Sequence, residues 1–171
     1  EKCRRYDAEV LLVDDIAEAF SLLEEIAKKE DRMIIHPFDS VRTLQGTGTL
    51  GLEIAEEIKG LDVALVAVGG GGLVAGVGSA LKAMQPSIQI IGVEPTGAAG
   101  MTHSLELGRP LERVEVNTIA DSLGAPLHCA MSFAVCQQVI DRMVLVEEDE
   151  LCQAIAWVYD GLKFALEPAG A

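Results

Sequence analysis

The chain has 171 residues, half of them hydrophobic and 23% charged, with a formal net charge of −14. That length suits one domain, or one domain with part of a second, and it excludes neither. The composition excludes a disordered or low-complexity chain, and no apolar run reaches the roughly 18 residues of a membrane span.

The first element is a short apolar run, Glu9–Val13, which reads as a buried strand. Asp14 and Asp15 then offer an N-cap, and Ile16, Phe20, Leu23 and Ala27 recur at helical spacing. Met33–Ile35 reads as a second short strand, closed by His36-Pro37 because proline biases its predecessor to an extended shape. A helix is expected from Thr47 to Lys59, entered through the spaced glycines of Gly46-Thr47-Gly48-Thr49. Leu61–Val68 is the clearest strand, continuous and β-branched, as for a strand covered on both faces. It runs into Gly69-Gly70-Gly71-Gly72, after which Leu73–Met84 is helical and Pro86 marks the end. Ile88–Val93 is the next strand and Ala99–Leu107 a helix. Residues 108–128 are loop-rich. A helix over Cys129–Ile140, a strand over Met143–Val146 and a helix from Glu147 to about Leu166 complete the chain. Strands alternating with helices at this spacing predict an α/β fold with a parallel sheet.

Charge and cysteine usage narrow the partners. Residues 1–60, 61–120 and 121–171 carry net charges of −6, −2 and −6, with no basic stripe to bind a phosphate backbone. The acidity fits a soluble, cytoplasmic surface. Cys3, Cys129, Cys136 and Cys152 have no paired short spacing for zinc, so buried free thiols in a reducing compartment are expected.

Four consecutive glycines between a strand and a helix need a cause, since each costs about 0.5–1 kcal/mol against alanine in a regular element. One or two would serve a tight turn or close packing. Four unhindered N–H groups at a helix N-terminus suit a phosphate. No charged side chain occurs from Val63 to Leu81. The anion would therefore rest on amides and the helix dipole, and the lysine of a Walker A loop is missing. Gly70-x-Gly72-x-x-Ala75 also fits a dinucleotide fingerprint, with Glu94 placed as a ribose-binding acid. On spacing alone these two readings stand level.

The ordered set of motifs separates them. His36-Pro37-Phe38-Asp39, Gly46-Thr47-Gly48-Thr49-Leu50-Gly51-Leu52-Glu53 and Val68-Gly69-Gly70-Gly71-Gly72-Leu73-Val74-Ala75-Gly76 resemble successive blocks of the threonine/serine dehydratases. Ile91-Gly92-Val93-Glu94-Pro95, Thr118-Ile119-Ala120-Asp121 and Glu167-Pro168-Ala169-Gly170-Ala171 extend the likeness along essentially the whole chain. These are fold type II enzymes using pyridoxal 5′-phosphate (PLP), with serine racemase a close relative. The resemblance implies a parallel sheet with helices on both faces, incomplete here. Residues 1–32 would be the tail of a small domain and 33–171 part of the large, PLP-binding one.

It further implies that Gly69, Gly70, Gly71, Gly72 and Leu73 grip the cofactor phosphate, with residues near Phe38 and Ser122 close to the ring. Family members often have Asp-Gly where this chain has Asp121-Ser122. Glu94 and the Ala98 carbonyl match cation ligands of the racemase branch, but the third ligand, an acid, is here Gly100, so no metal is expected. The family's cofactor-bearing lysine sits in a Ser-x-Lys-x-Arg-Gly type motif before these blocks. None of Lys2, Lys28, Lys29, Lys59, Lys82 or Lys163 has that context. With no initiator Met either, the chain reads as an internal fragment without a catalytic residue of its own. The parent is expected to be a homo-oligomeric ammonia-lyase turning a small β-hydroxy amino acid into a 2-oxo acid and ammonia. A racemase, or another fold type II enzyme, is the alternative.

Other residues carry ordinary expectations. His36 either faces the ligand or is placed by loop hydrogen bonds. His103 and His128 fit no ligand spacing and read as surface or structural. Ser79, Ser104 and Ser132 lack a hydrolase context. Trp157 and Tyr159 read as core or interface, and the acidic run 147–150 as a solvated helix start.

Overall fold

The computed structural model describes residues 1–14 and 16–171, with backbone alone for Ile16 and Ala17. It forms two units, Glu1–Ile35 and His36–Ala171.

In the first unit a helix, α1 (Ile16–Glu30), follows a short 3-10 turn at Cys3–Tyr6. The expected strands Glu9–Val13 and Met33–Ile35 are not strands, and Asp15, half of the expected N-cap, lies outside the described residues. The physical reason is partnership. A strand exists through a neighbour's N–H and C=O groups, and among the described residues neither run has one, so Leu12 and Ile35 stay exposed.

The second unit is α/β: α2 (Val41–Glu57), β1 (Val63–Ala67), α3 (Gly72–Met84), β2 (Gln89–Pro95), α4 (Gly100–Leu107), α5 (Ala130–Val139), β3 (Arg142–Val146) and α6 (Glu148–Leu162). The strands form a parallel sheet in the order β1-β2-β3, with Val66 opposite Gly92 and Gly92 opposite Met143. The parallel prediction holds because each strand returns through a helix.

The two elements with glycines at their cores show where sequence and structure part. α2 starts at Val41, six residues earlier than expected, because Ser40 Oγ accepts the Thr43 N–H at 3.0 Å and caps it. Gly46, Gly48 and Gly51 are therefore helical, not an entry loop. A Cβ at Gly51 would stand 2.6 Å from the Val77 carbonyl and 2.8 Å from Ala80 Cβ, and one at Gly76 would strike Thr47 Oγ1. Missing side chains let α2 and α3 cross closely. One face of the sheet packs on α3 and α5, burying Val66, Val68, Val74, Leu81, Ile90, Phe133 and Cys136. The expectation that β1 is covered on both faces fails: Val66 is 8% exposed, but Leu65, pointing the other way, is 71% exposed. Leu65 lines a cavity together with Leu123, Leu151 of α6 and the C-terminal Ala169 and Gly170.

The acidic helix start does more than meet solvent. Glu147 and Glu150 form a reciprocal capping box on α6. Glu147 also accepts the Thr96 hydroxyl at 3.0 Å, and Glu148 accepts the Ile119 N–H at 2.9 Å, tying two loops to the helix.

Candidate functional site

β1 delivers the chain into the glycine run, and the run opens α3. Val68 still donates its N–H to the Val93 carbonyl at 2.8 Å, so the sheet holds the chain up to Gly69. Gly71 is the N-cap of α3 at φ +89°, a left-handed conformation that L side chains rarely adopt. Its carbonyl accepts the Ala75 N–H at 2.9 Å, the first bond of the helix. The N–H groups of Gly72, Leu73 and Val74 precede that bond, and Gly71 has no side chain to cap them.

Each glycine is crowded as well as open. A Cβ at Gly69 would stand 2.8 Å from the Leu123 carbonyl oxygen, one at Gly70 would enter the Phe38 ring, and one at Gly72 would lie 2.7 Å from Phe38 Cα. At Gly71 it would sit 2.8 Å from both Cys136 Sγ and Met101 Cε. Close packing thus explains all four, against the sequence expectation that packing needs only one or two. It makes the same point about an anion: bare backbone N–H groups, with no room for anything larger than glycine.

The segment before α2 supplies the opposite wall. His36 Nδ1 accepts the N–H groups of Phe38 (3.3 Å) and Asp39 (2.9 Å), and its ring meets Phe38 edge-on at 4.7 Å. Of the two expectations for His36, the loop hydrogen bonds are the ones seen. Asp39 Oδ1 accepts the Ser132 N–H at 2.6 Å, joining this turn to the start of α5. Thr47 Oγ1 lies 2.9 Å from the Gly72 carbonyl oxygen, joining α2 to the glycine run. Phe38 thus lies against Gly70 and Gly72. Ser122 donates its hydroxyl to Glu167 Oε2 at 3.0 Å, and its neighbour Leu123 presses on Gly69.

Two buried polar residues flank the run. Glu94, fully buried, accepts the Met101 N–H at 2.8 Å, the Thr102 N–H at 2.9 Å and the Thr102 hydroxyl at 2.8 Å. Burial pushes its carboxyl above the ordinary range, and those hydrogen bonds pull it back in part. Its oxygens are spent on the start of α4, which leaves the ribose-binding role of the dinucleotide reading without a free acid. His128, read from the sequence as surface or structural, is buried, and its Nδ1 lies 2.7 Å from Ser104 Oγ. Nothing in the spacing of residues 104 and 128 announces this link.

The remaining expectations divide. His103 is exposed beside Glu106. Cys136 is buried, its thiol pushed up to about 12 by burial and then by Glu94. Cys129 is half-buried, whereas Cys3 and Cys152 are exposed, contrary to the expectation of buried thiols. Trp157 is 84% exposed and not in a core, because α6 turns Leu151 inward and Trp157 outward. Among the described residues no three His, Cys, Asp or Glu side chains gather as a metal site, and no helix is long and apolar enough to cross a membrane.

A parallel α/β sheet whose first strand passes through glycines into an uncapped helix defines a class: nucleotide- or phosphate-cofactor proteins that present backbone amides to an anion. Within that class the chain belongs to the pyridoxal-phosphate dependent enzyme family, whose profile matches residues 1–171. It is 45% identical over 169 residues to phenylserine dehydratase of Ralstonia pickettii, covering 99% of this chain and 52% of that protein. It is 37% identical over 172 residues to L-threonine ammonia-lyase of Thermotoga maritima, covering 99% and 43%. Among solved structures it resembles threonine deaminase isoform 2 of Solanum lycopersicum (TM-score 0.88, 41% identity, 94% of this chain and 47% of that one). It also resembles maize serine racemase (TM-score 0.90, 32% identity, 98% and 51%). The chain spans about half the length of the relatives it matches.

Proposed function

We propose that this chain is the phosphate-gripping part of a PLP-dependent ammonia-lyase acting on a β-hydroxy amino acid. The observation that carries the reading is the run Gly69–Gly72 at the uncapped start of α3, free of side chains where a Cβ would collide. The N–H groups of Gly69, Gly70, Gly71, Gly72 and Leu73 would hold the phosphate, aided by the helix dipole. Phe38, against Gly70, would bound the site on the ring side. PLP, when bound, withdraws electron density from the α-carbon of an attached amino acid, so that its α-proton and β-hydroxyl can depart. This chain's residues bind and orient: they fix the phosphate, exclude bulk from the loop, and hold the loop's backbone rigid against Leu123 and Cys136. On this reading residues 1–32 are the tail of the small domain, 33–171 are part of the large domain, and the lysine that carries the cofactor lies outside this segment. The names of the phenylserine and threonine relatives support a hydroxy amino acid over other substrates.

The test is direct. The whole protein with PLP should release 2-oxo acid from serine, threonine or phenylserine; PLP-independent behaviour, or racemisation without 2-oxo acid, overturns the lyase reading. The isolated 171 residues, reduced with borohydride in the presence of PLP, should show no adduct concentrated on a single lysine. One such adduct accompanied by turnover would place the catalytic lysine inside this chain.

A further inference from the structure

The turn facing the glycine run is organised around one side chain. His36 Nδ1 accepts two backbone N–H groups, from Phe38 at 3.3 Å and from Asp39 at 2.9 Å. A backbone N–H can only donate, so Nδ1 supplies the lone pair and the neutral ring keeps its hydrogen on Nε2. Pro37, between His36 and Phe38, has no N–H to compete for it. The residue is held at its other end too: the His36 carbonyl accepts the Thr43 hydroxyl at 2.6 Å, from the first turn of α2. Its ring meets the Phe38 ring edge-on, with centroids 4.7 Å apart. His36 thus sets Phe38 at both backbone and ring.

What His36 sets, the glycines meet. A Cβ at Gly70 would enter the Phe38 ring, and one at Gly72 would lie 2.9 Å from both Phe38 Cβ and the Phe38 carbonyl oxygen. A Gly–Gly backbone has little stiffness of its own, because both signs of φ are open to it, so its shape is decided by what presses on it. Asp39, the second residue His36 holds, acts on the other side of the run. Its Oδ1 accepts the Ser132 N–H at 2.6 Å in the first turn of α5, where the N-cap Cys129 provides no side-chain bond. α5 in turn carries Cys136, whose Sγ would stand 2.8 Å from a Cβ at Gly71. We propose that His36 is a positioning residue of the cofactor site: through Phe38 on Gly70 and Gly72, and Asp39 on α5, its Nδ1 holds the run in the shape that grips phosphate. This inference rests on the phosphate-binding role proposed for the glycine run.

Titrating the whole protein with PLP and with pyridoxal, which lacks the phosphate, isolates the phosphate's share of binding. His36→Leu fills a similar space with no acceptor. It should lower the PLP-to-pyridoxal affinity ratio about tenfold, on the scale of the hydrogen bonds lost. In His36→Asn the amide oxygen stands as many bonds from Cα as Nδ1 does, so the ratio should stay within about threefold of wild type. His36→Gln carries its oxygen one bond too far and should behave as the Leu variant. The ³¹P resonance of the bound cofactor should move in His36→Leu and hold in His36→Asn. An unchanged ratio in His36→Leu, or an Asn variant as low as the Leu variant at the same thermal midpoint, overturns the inference. If His36→Leu does not fold, the Asn and Gln variants decide between them: a ratio kept in Asn and lowered in Gln is expected, and equal ratios overturn the inference. A wild-type protein that binds PLP no tighter than pyridoxal would instead refute the phosphate cradle itself. A wild-type preference for PLP that survives in His36→Leu would refute only His36.

Discussion

Gly71 concentrates the demands made on single residues. It sits at φ +89°, and a Cβ would press on Cys136 Sγ and Met101 Cε at 2.8 Å. Gly71→Ala therefore combines backbone strain with overpacking and should cost about 2–3 kcal/mol in chemical denaturation. The same variant should weaken PLP binding in the whole protein. His128 gives a pH prediction. Burial holds its imidazole below the ordinary value of 6.5, and the nearby Gly69 backbone offsets this only in part. The folded state then refuses a proton that the unfolded chain accepts. Stability is full above 6.5 and falls as pH drops through the lowered folded value. In His128→Gln that part of the acid slope should vanish from a denaturation series, whatever happens to the rest. The glycine run was legible as a residue pattern, but the packing on Phe38, Leu123, Cys136 and Met101 that also calls for glycine was not. Nor was the burial of His128, because its partner Ser104 is a neighbour only after the chain folds.

At the scale of elements, glycines of the two crossing helices α2 and α3 have opposite meanings. Gly46 has nothing within 4 Å of its missing Cβ, whereas at Gly76 that atom would strike Thr47 Oγ1 and come 2.5 Å from the Leu44 carbonyl. Gly46→Ala should stabilise α2 by about 0.5–1 kcal/mol through backbone entropy. Gly76→Ala should destabilise by about 1–3 kcal/mol, because two backbones must move apart. Thermal melts of the pair decide it; matching signs would mean that α2 and α3 do not cross as described. β1 offers a second contrast. Val66→Ala should cost about 1.5–3 kcal/mol and Leu65→Ala less than about 0.5 kcal/mol, although leucine is the larger side chain. Element types in the second unit were readable from periodicity and breakers. The start of α2 was missed because Gly46 and Gly48 look like loop residues until a second helix is laid across them. The two expected strands of the first unit failed for the opposite reason: their pattern is right for strands, but pattern supplies no partner.

For the whole molecule, the charge distribution matters more than any one ion pair. The flanking thirds carry −6 each and the middle third, with the glycine run, only −2. Self-repulsion of a −14 chain should ease as salt screens it, so the thermal midpoint should rise from low to roughly physiological ionic strength. A falling midpoint would mean that pairs such as Lys82–Asp141, 2.8 Å apart, outweigh the net charge. On the proposed reading, the local quiet around the run is what lets so acidic a chain present an anion site.

What the amino-acid sequence determined by itself was the order of elements in the second unit, the parallel α/β class and the glycine run with its uncharged surroundings. All three follow from local rules: periodicity, the conformational freedom of glycine, and the count of charges in a segment. Only the tertiary structure decided that Glu94 is consumed in capping α4, that Phe38 lies over Gly70, and that His128 meets Ser104 in the interior. These depend on residues tens of positions apart meeting at fixed distances. Hydrogen bonds and close contacts are short-ranged, so no property of the separate segments could have foretold them.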